Sequence, residues 1–206
     1  MELSTPTIKG RIHMDEKCVK VGTVQNYDLN AIDSKTKYIL GHLFVKRRNL
    51  YEVVQFLREI KVTCYRQILD TYQKERYKPS EKRKLIIFVS DKFENYRNGF
   101  NKLFYRVAKL RFGVPIGSKK YGLEHNNNAI ERYNEDLNQR YKIMRHFKSF
   151  ESASAFMEMK RIIHNFVNPH MELGNITPPE AAGIKIPLGE NKLLSLINYC
   201  YKMTKS

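Results

Sequence analysis

Three carboxylates stand where acid chemistry could be done. Asp15 closes the first β-type run of the 206-residue chain, Asp91 directly follows its most apolar run, and Glu131 lies one position beyond Ile130 on a helical segment. Taken singly, each has an ordinary reading: an Asp after a strand forms a turn or caps a helix, and a Glu on a helix is a solvated charge. Taken together they suit phosphoryl transfer, in which carboxylates hold two divalent ions, one readying the nucleophile and the other stabilising the leaving oxygen. Magnesium favours a few carboxylates completed by water and phosphate oxygens. Carboxylates converging without such ions raise one another's pKa values. The rest of the chain has the opposite sign, with 37 Lys and Arg against 21 Asp and Glu and a formal charge of +16. A polyanion is therefore the partner to expect. A basic surface around an acidic centre is what metal-dependent nucleic-acid chemistry requires, because Lys and Arg hold the phosphate backbone while metals occupy the centre.

Positioning three such groups needs a sheet with helices against it. Short β-type runs occur at Arg11 to Asp15, Cys18 to Val21, Tyr27 to Ile32 and Tyr38 to Val45, with Asp33-Ser34-Lys35-Thr36 as a turn between the last two. They predict an antiparallel meander. Apolar residues at 50, 53, 57, 60, 64 and 68 then follow the spacing of a long amphipathic helix. Lys74 to Lys84, charged and holding Pro79-Ser80, reads as a loop before the buried strand Leu85 to Val89. Phe93, Tyr96, Phe100, Leu103 and Phe104 form a second helical face, broken by Gly113 to Ser118, and a loop with room for a short strand fills the space to Asn126. Asn126, Asn127 and Asn128 offer N-caps for a helix burying Ile130, Tyr133, Leu137 and Tyr141. A further helix starts near Ser149, buries Ala153, Phe156, Met159, Ile163 and Phe166, and ends at Pro169. The remainder, through Thr177-Pro178-Pro179-Glu180, is loop and short helices. This order predicts an α/β layer structure with a mixed sheet. The length and the 42% hydrophobic content suit one domain.

Composition narrows the class further. Thirteen Tyr and eleven Phe argue against disorder. The longest strongly apolar run, Leu85 to Val89, falls far short of the roughly 20 residues that cross a bilayer. The opening Met1-Glu2-Leu3-Ser4-Thr5-Pro6 has no basic region followed by an apolar stretch, so a cytoplasmic location is expected. Cys18, Cys64 and Cys200 form no C-x-x-C and are expected to be reduced structural thiols, and the six scattered His offer no zinc spacing. Short basic clusters at Lys46-Arg47-Arg48, Arg106 to Arg111, Lys119-Lys120 and Arg145 to Lys148 are solvated surface or DNA contacts, and DNA binding is favoured. Tyr105 and Tyr121 could stack on unpaired bases, whereas Tyr141 continues a core stripe. Met157, Met159 and Met171 read as core gap-fillers.

The motifs occur in an order that adds to this reading. Met14-Asp15-Glu16-Lys17-Cys18-Val19-Lys20-Val21 is followed by Asn30 to Leu40, Lys46-Arg47-Arg48-Asn49, Val89-Ser90-Asp91 and Asn127-Asn128-Ala129-Ile130-Glu131-Arg132-Tyr133-Asn134. Arg140 to Ala153, Asn165-Phe166-Val167-Asn168-Pro169-His170-Met171 and Thr177 to Gly183 complete the series. Over residues 11 to 184 this set resembles the catalytic core of prokaryotic insertion-sequence DDE transposases, a core similar to retroviral integrase. The resemblance implies a ribonuclease H-like mixed β-sheet flanked by α-helices, with a tail at 1–10, a DDE catalytic core at 11–168 and a C-terminal extension at 169–206. It implies that Asp15, Asp91 and Glu131 are catalytic and bind two Mg2+ or Mn2+ ions. It also implies DNA cleavage and strand transfer of an insertion sequence, transposon ends and target DNA as partners, a homo-oligomer assembled on DNA, and association with the nucleoid.

DNA contacts are expected from Lys46, Arg47, Arg48, Lys119, Lys120, Arg132, Asn138, Arg145 and Lys148. The chain also differs from the family pattern. The 39 residues between Asp91 and Glu131 form a longer gap than usual, Asn138 stands two turns after Glu131 where Lys or Arg is common, and Asn168 stands where Arg commonly precedes the Pro-His pair. Only 14 residues precede Asp15, so weak recognition of particular end sequences is expected. The alternatives are a transposase remnant that only binds DNA, and a stand-alone ribonuclease H-fold nuclease.

Overall fold

The computed structural model describes residues 5–113, 128–143 and 147–204. Strands β1 (Ile12–Val21), β2 (Val24–Asp33) and β3 (Ile39–Val45) form the antiparallel meander, and β4 (Ile87–Ser90) and β5 (Lys109–Phe112) add to it in parallel. The sheet order is β3-β2-β1-β4-β5. The two β runs expected before residue 22 are one strand, because pairing with β2 continues unbroken from Ile12↔Asp33 to Val21↔Val24. Backbone ladder bonds carry the strand through Glu16 and Lys17 whatever their side chains prefer. β5 lies before Gly113, and the stretch 114–126, where a short strand was expected, lies outside the described residues. The four residues of β5 are partly buried or exposed at the sheet edge, too short a run to give a periodic signal.

Alternation along the strands divides two cores. Ile12, Met14, Leu29 and Ala31 face helices α1 (Leu50–Glu75) and α2 (Glu94–Phe104), where Val53, Phe56, Leu57, Ile60, Tyr96, Phe100 and Phe104 are buried. Val19, Ile32, Ile39 and Phe44 face helices α3 (Asn128–Ile143) and α4 (Phe150–Ile162), with Ile130, Tyr133, Leu137, Ala153 and Met157. The first side is tight. A Cβ on Gly41 would lie 2.6 Å from the Ile60 side chain, so the bare backbone of β3 lets α1 approach this closely.

The buried face of α4 differs from the spacing-based expectation. Ala153 and Met157 are buried, but Met159 is 48% exposed and Met171 88% exposed, so these two methionines do not fill the core. Met159 stands roughly 200° around the helix from the buried Met157 and so faces away from the core. The stripe changes again at the end of the helix, where residues Ile163–Val167 widen into a π turn. The wider turn rotates the following side chains and sends His164 and Asn165 inward instead of continuing the apolar stripe. Asn165 then accepts from Ile39 N (2.9 Å) and donates to Ile39 O (3.2 Å), mimicking a neighbouring strand. Asn168 ends the turn, ahead of Pro169 as expected.

The ends of the chain are stitched to this body. Ile8 exchanges two hydrogen bonds with the Gln67 side chain, and Thr7 N donates to Ala182 O. The buried Asp33 carboxylate accepts from Lys9 N, Gly10 N, Lys35 N and the Thr36 hydroxyl, so one side chain shapes the β2–β3 turn and anchors the segment expected as a tail. Beyond the π turn lie short α5 (Pro178–Ala181), capped by Thr177 and Glu180, and α6 (Lys192–Met203). Cys18, Cys64 and Cys200 are free thiols, and burial pushes Cys64 up to about 12. No described helix is long and apolar enough to cross a membrane.

The second face also buries charge. His42 Nε2 lies 2.7 Å from Asp28 Oδ1 and its Nδ1 lies 3.1 Å from Glu158 Oε2, while Arg161 also grips Glu158. Burial opposes charging His42, but the hydrogen bonds to Asp28 and Glu158 outweigh it and push its pKa up to about 9. Glu158 is held well below the usual carboxylate range by His42 and Arg161. A raised histidine pKa stabilises the fold fully below the unfolded value and loses that contribution as pH rises through about 9. In urea titrations from neutral to alkaline pH, the wild type should therefore lose on the order of 3 kcal/mol more than His42→Gln. Equal losses in both proteins would contradict the network.

Candidate active site

Sheet register brings the two aspartates together. The last parallel pairs between β1 and β4 are Ile12↔Phe88 and His13↔Val89. Three residues beyond Ile12 and Phe88 stand Asp15 and Asp91, in step with one another at the carboxyl end of the parallel pair. In open α/β sheets this end is where ligands are held. Asp91 is exposed, and its Oδ1 accepts from Phe93 N (3.0 Å), which opens the first turn of α2. The turn-forming bond thus leaves the Asp91 side chain exposed.

Helix α3 supplies the third group by lying along β1. Asn134 Nδ2 donates to Asp15 Oδ2 (3.0 Å), Lys17 Nζ donates to Asn138 Oδ1, and the Tyr141 hydroxyl accepts from Lys20 N (2.8 Å). Residues 134, 138 and 141 share one helical flank, and Glu131, exposed, stands one turn before Asn134 on the same flank. The effect on Asp15 is electrostatic. Burial first, then the neighbouring Glu16 charge, then Asp91 and Glu131 push its pKa up to about 7, against a lowering hydrogen bond from the Glu16 backbone. Asp91 and Glu131 are therefore within electrostatic reach of Asp15.

The donor set suits a hard divalent cation. All three are oxygen donors, and their crowding is a like-charge strain that a bound cation would relieve. Asn134 Oδ1, on the side chain that holds Asp15, is buried without a partner, so an oxygen acceptor beside the cluster is unsatisfied. Among the described residues no three His, Cys, Asp or Glu groups are gathered tightly enough to close around an ion by themselves. The set fits a cation completed by water and phosphate oxygens, the mode magnesium favours.

The residues expected to touch DNA separate into groups. Lys46, Arg47 and Lys148 are exposed, with Lys46 Nζ 5.1 Å from the Phe150 ring centroid. Arg132 pairs with Glu172, which Lys37 also holds. Arg48 is also exposed, and its guanidinium pairs with the buried Glu16 side chain on β1. Asn138 accepts from Lys17 on the neighbouring strand and donates to Glu135. Lys119, Lys120, Arg145 and Tyr121 lie outside the described residues. Tyr105 is 63% exposed, and Tyr141 stacks on Phe147 as a packed residue.

Asn134 and Lys17 were not singled out by the sequence reading. Their signals were available, since Asn134 follows Glu131 by one helical turn and Lys17 follows Asp15 by one strand repeat.

Comparison with known proteins follows the same lines. The chain resembles a chain of the simian T-cell lymphotropic virus intasome solved with the PP2A regulatory subunit B56γ, with TM-score 0.55 and 9% identity over 91% of this chain and 62% of that one. It resembles the catalytic core domain of HTLV-2 integrase, solved with magnesium, with TM-score 0.52 and 10% identity over 87% of this chain and 99% of that one. The catalytic core domain of BIV integrase gives TM-score 0.50 and 14% identity over 83% and 91%. These likenesses show the fold, an integrase and ribonuclease H-like mixed sheet between helices. This chain thus spans 62% of the intasome chain and nearly all of the isolated integrase cores. No curated protein sequence matches the chain. The family model described as the DDE domain, of the IS240 transposase type, matches residues 9–170, which is most of the chain. The protein therefore belongs to the DDE transposase domain family, whose enzyme class is polynucleotidyl transferase.

Proposed function

We propose that this protein cleaves DNA at the ends of an insertion sequence and joins them to target DNA, with Asp15, Asp91 and Glu131 as its catalytic carboxylates. The observation that carries this reading is the register of β1 and β4, which sets Asp15 and Asp91 side by side, with α3 bonded to Asp15 one turn from Glu131. The reaction is attack of water on a phosphodiester at the element's end, releasing a 3′-hydroxyl, and then attack of that hydroxyl on a target phosphodiester with release of a new 3′-hydroxyl. Mg2+ or Mn2+, bound as two ions, would supply Lewis acidity to both the entering and the leaving oxygen. The HTLV-2 integrase core was solved with magnesium, and the oxygen donors here are of the type that suits such an ion.

The chain's own residues do the positioning. Asn134 fixes the Asp15 carboxylate by hydrogen bond, and the Phe93 N–H orients Asp91. Exposed Lys46, Arg47 and Lys148 offer charge to the phosphate backbone. Assembly as a homo-oligomer on DNA is part of the same proposal. Strand joining separates it from the nuclease alternative, which would cut without joining.

Separate roles for charge and carboxylates give a first test. Asp91→Asn should abolish Mg2+-dependent nicking and joining of labelled end duplexes while anisotropy titrations keep DNA affinity within about twofold. Affinity in the wild type should fall with salt by a log–log slope of about −0.9 per neutralised phosphate. A flat salt response, or affinity lost together with cleavage, would overturn the assignment.

A second test uses the proton on Asp15. With its pKa raised to about 7, the metal-free fold binds more protons than the unfolded chain between about pH 4 and 7, so stability falls as pH rises through that window. Metal must displace that proton. The rise in melting temperature caused by Mg2+ should be small near pH 6, grow by about pH 8, and vanish in Asp15→Asn. A shift independent of pH, or one retained in the variant, would place the metal elsewhere.

A further inference from the structure

Arg48 leaves the β3–α1 loop and crosses to the acidic site. Its guanidinium pairs with Glu16 Oε1 on β1, the residue beside Asp15. The same group lies 4.8 Å from the Phe93 ring centroid and 5.4 Å from that of Tyr27. Phe93 is the residue whose N–H donates to Asp91 Oδ1. The Arg48 carbonyl accepts from Asn95 Nδ2 (3.2 Å), one residue into α2. One residue therefore touches both arms of the site, β1 through Glu16 and the Asp91 turn through Phe93 and Asn95.

The contact partners are not interchangeable surface groups. The Glu16 side chain is only 6% exposed, and its Oε2 is buried together with the Tyr96 hydroxyl of α2. Tyr96 in turn packs edge-on against Phe93, with centroids 5.9 Å apart. A carboxylate this buried needs its cation, since an unpaired buried charge is strongly destabilising. Arginine is suited to this place because its planar group can pair with a carboxylate while stacking on a ring, whereas a lysine ammonium is a compact point charge without that planar face.

We propose that Arg48 is a positioning residue that fixes the Asp91 turn against the Asp15 strand, by pairing with Glu16 and stacking on Phe93, and so sets the spacing at which the two carboxylates meet a divalent cation. This rests on the reading that Asp15 and Asp91 bind that cation. The Arg48 guanidinium is engaged with Glu16 although its side chain is 43% exposed, and the expectation that Arg48 contacts a DNA phosphate is the alternative against which this proposal is tested.

The test measures Mn2+ binding to the DNA-free protein by electron paramagnetic resonance, alongside DNA anisotropy across a salt series and a thermal melt of each variant. Arg48→Lys keeps the charge and loses the stacking; Phe93→Leu keeps Arg48 and loses the ring. Both should weaken Mn2+ binding by about tenfold, the loss typical of groups that orient metal ligands, while the DNA salt slope stays unchanged. The proposal is overturned if Arg48→Lys binds Mn2+ as the wild type does. It is also overturned if removing the charge, in Arg48→Met, lowers the salt slope by about one while Mn2+ affinity holds, the signature of a phosphate contact. The Asp15→Asn, Asp91→Asn double variant separates the two readings. If it loses Mn2+ while Arg48→Lys does not, only the role of Arg48 fails; if it binds as the wild type does, the metal reading fails and takes this proposal with it.

Discussion

Like charges gathered where the parallel pairing of β1 and β4 ends are the constraint around which the rest of this structure is arranged. Asp15 is held by the sheet, and Asp91 is brought beside it by parallel pairing that ends just before both residues. Asp15 cannot shift without breaking its ladder with β2, and Asp91, one residue past β4, is tied by the bond from Phe93 N. The strain appears directly as a carboxyl pKa pushed up to about 7, with burial as the first cause and the neighbouring carboxylates after it. A site of this kind trades stability for the ability to take up a cation, which is why its supports must come from outside the sheet.

Those supports come from both sides of β1, as strand alternation requires. Asp15 and Lys17 point toward α3, where Asn134 and Asn138 receive them; Glu16 points the other way, to Arg48. Successive residues of one strand are thus fixed by different layers. The α1–α2 face is apolar and closely packed, with Gly41 letting α1 approach β3, and it serves as the rigid base. The α3–α4 face mixes apolar contacts with buried ions, among them the His42 bridge between Asp28 and Glu158. Ion pairs and hydrogen bonds demand particular geometry where apolar contacts tolerate sliding, so this face is suited to holding α3 in one register against β1.

The excess positive charge is distributed over the surface rather than drawn into the acidic centre. Lys46, Arg47, Arg48 and Lys148 are exposed, while Arg132 shares Glu172 with Lys37. Within Lys46-Arg47-Arg48 the third residue also pairs with a buried carboxylate, because it stands next to the helix cap Asn49, close to where Glu16 and the Asp91 turn meet.

Much of this was legible before any coordinates. The α1 stripe at 53, 57, 60, 64 and 68 is buried as its spacing demands, and the meander, the apolar strand ahead of Asp91 and the Pro169 stop all follow from local chemistry. Asp91 and Glu131 were visible as a strand-end and a helix-start acid, whereas Asp15, expected to close a β run, stands within β1 because pairing with β2 continues past it, and the ordered motifs pointed to the family. The sequence did not determine the continuity of β1 through Glu16 and Lys17, the edge strand β5 or the π turn that brings Asn165 to Ile39, because each is decided by a partner distant in the chain. Nor could it say that the amine beside Asn138 comes from Lys17, or that Arg48 serves Glu16. Periodicity records which face of an element is buried; which charge meets which is set by the register between elements, and that exists only once the sheet has formed.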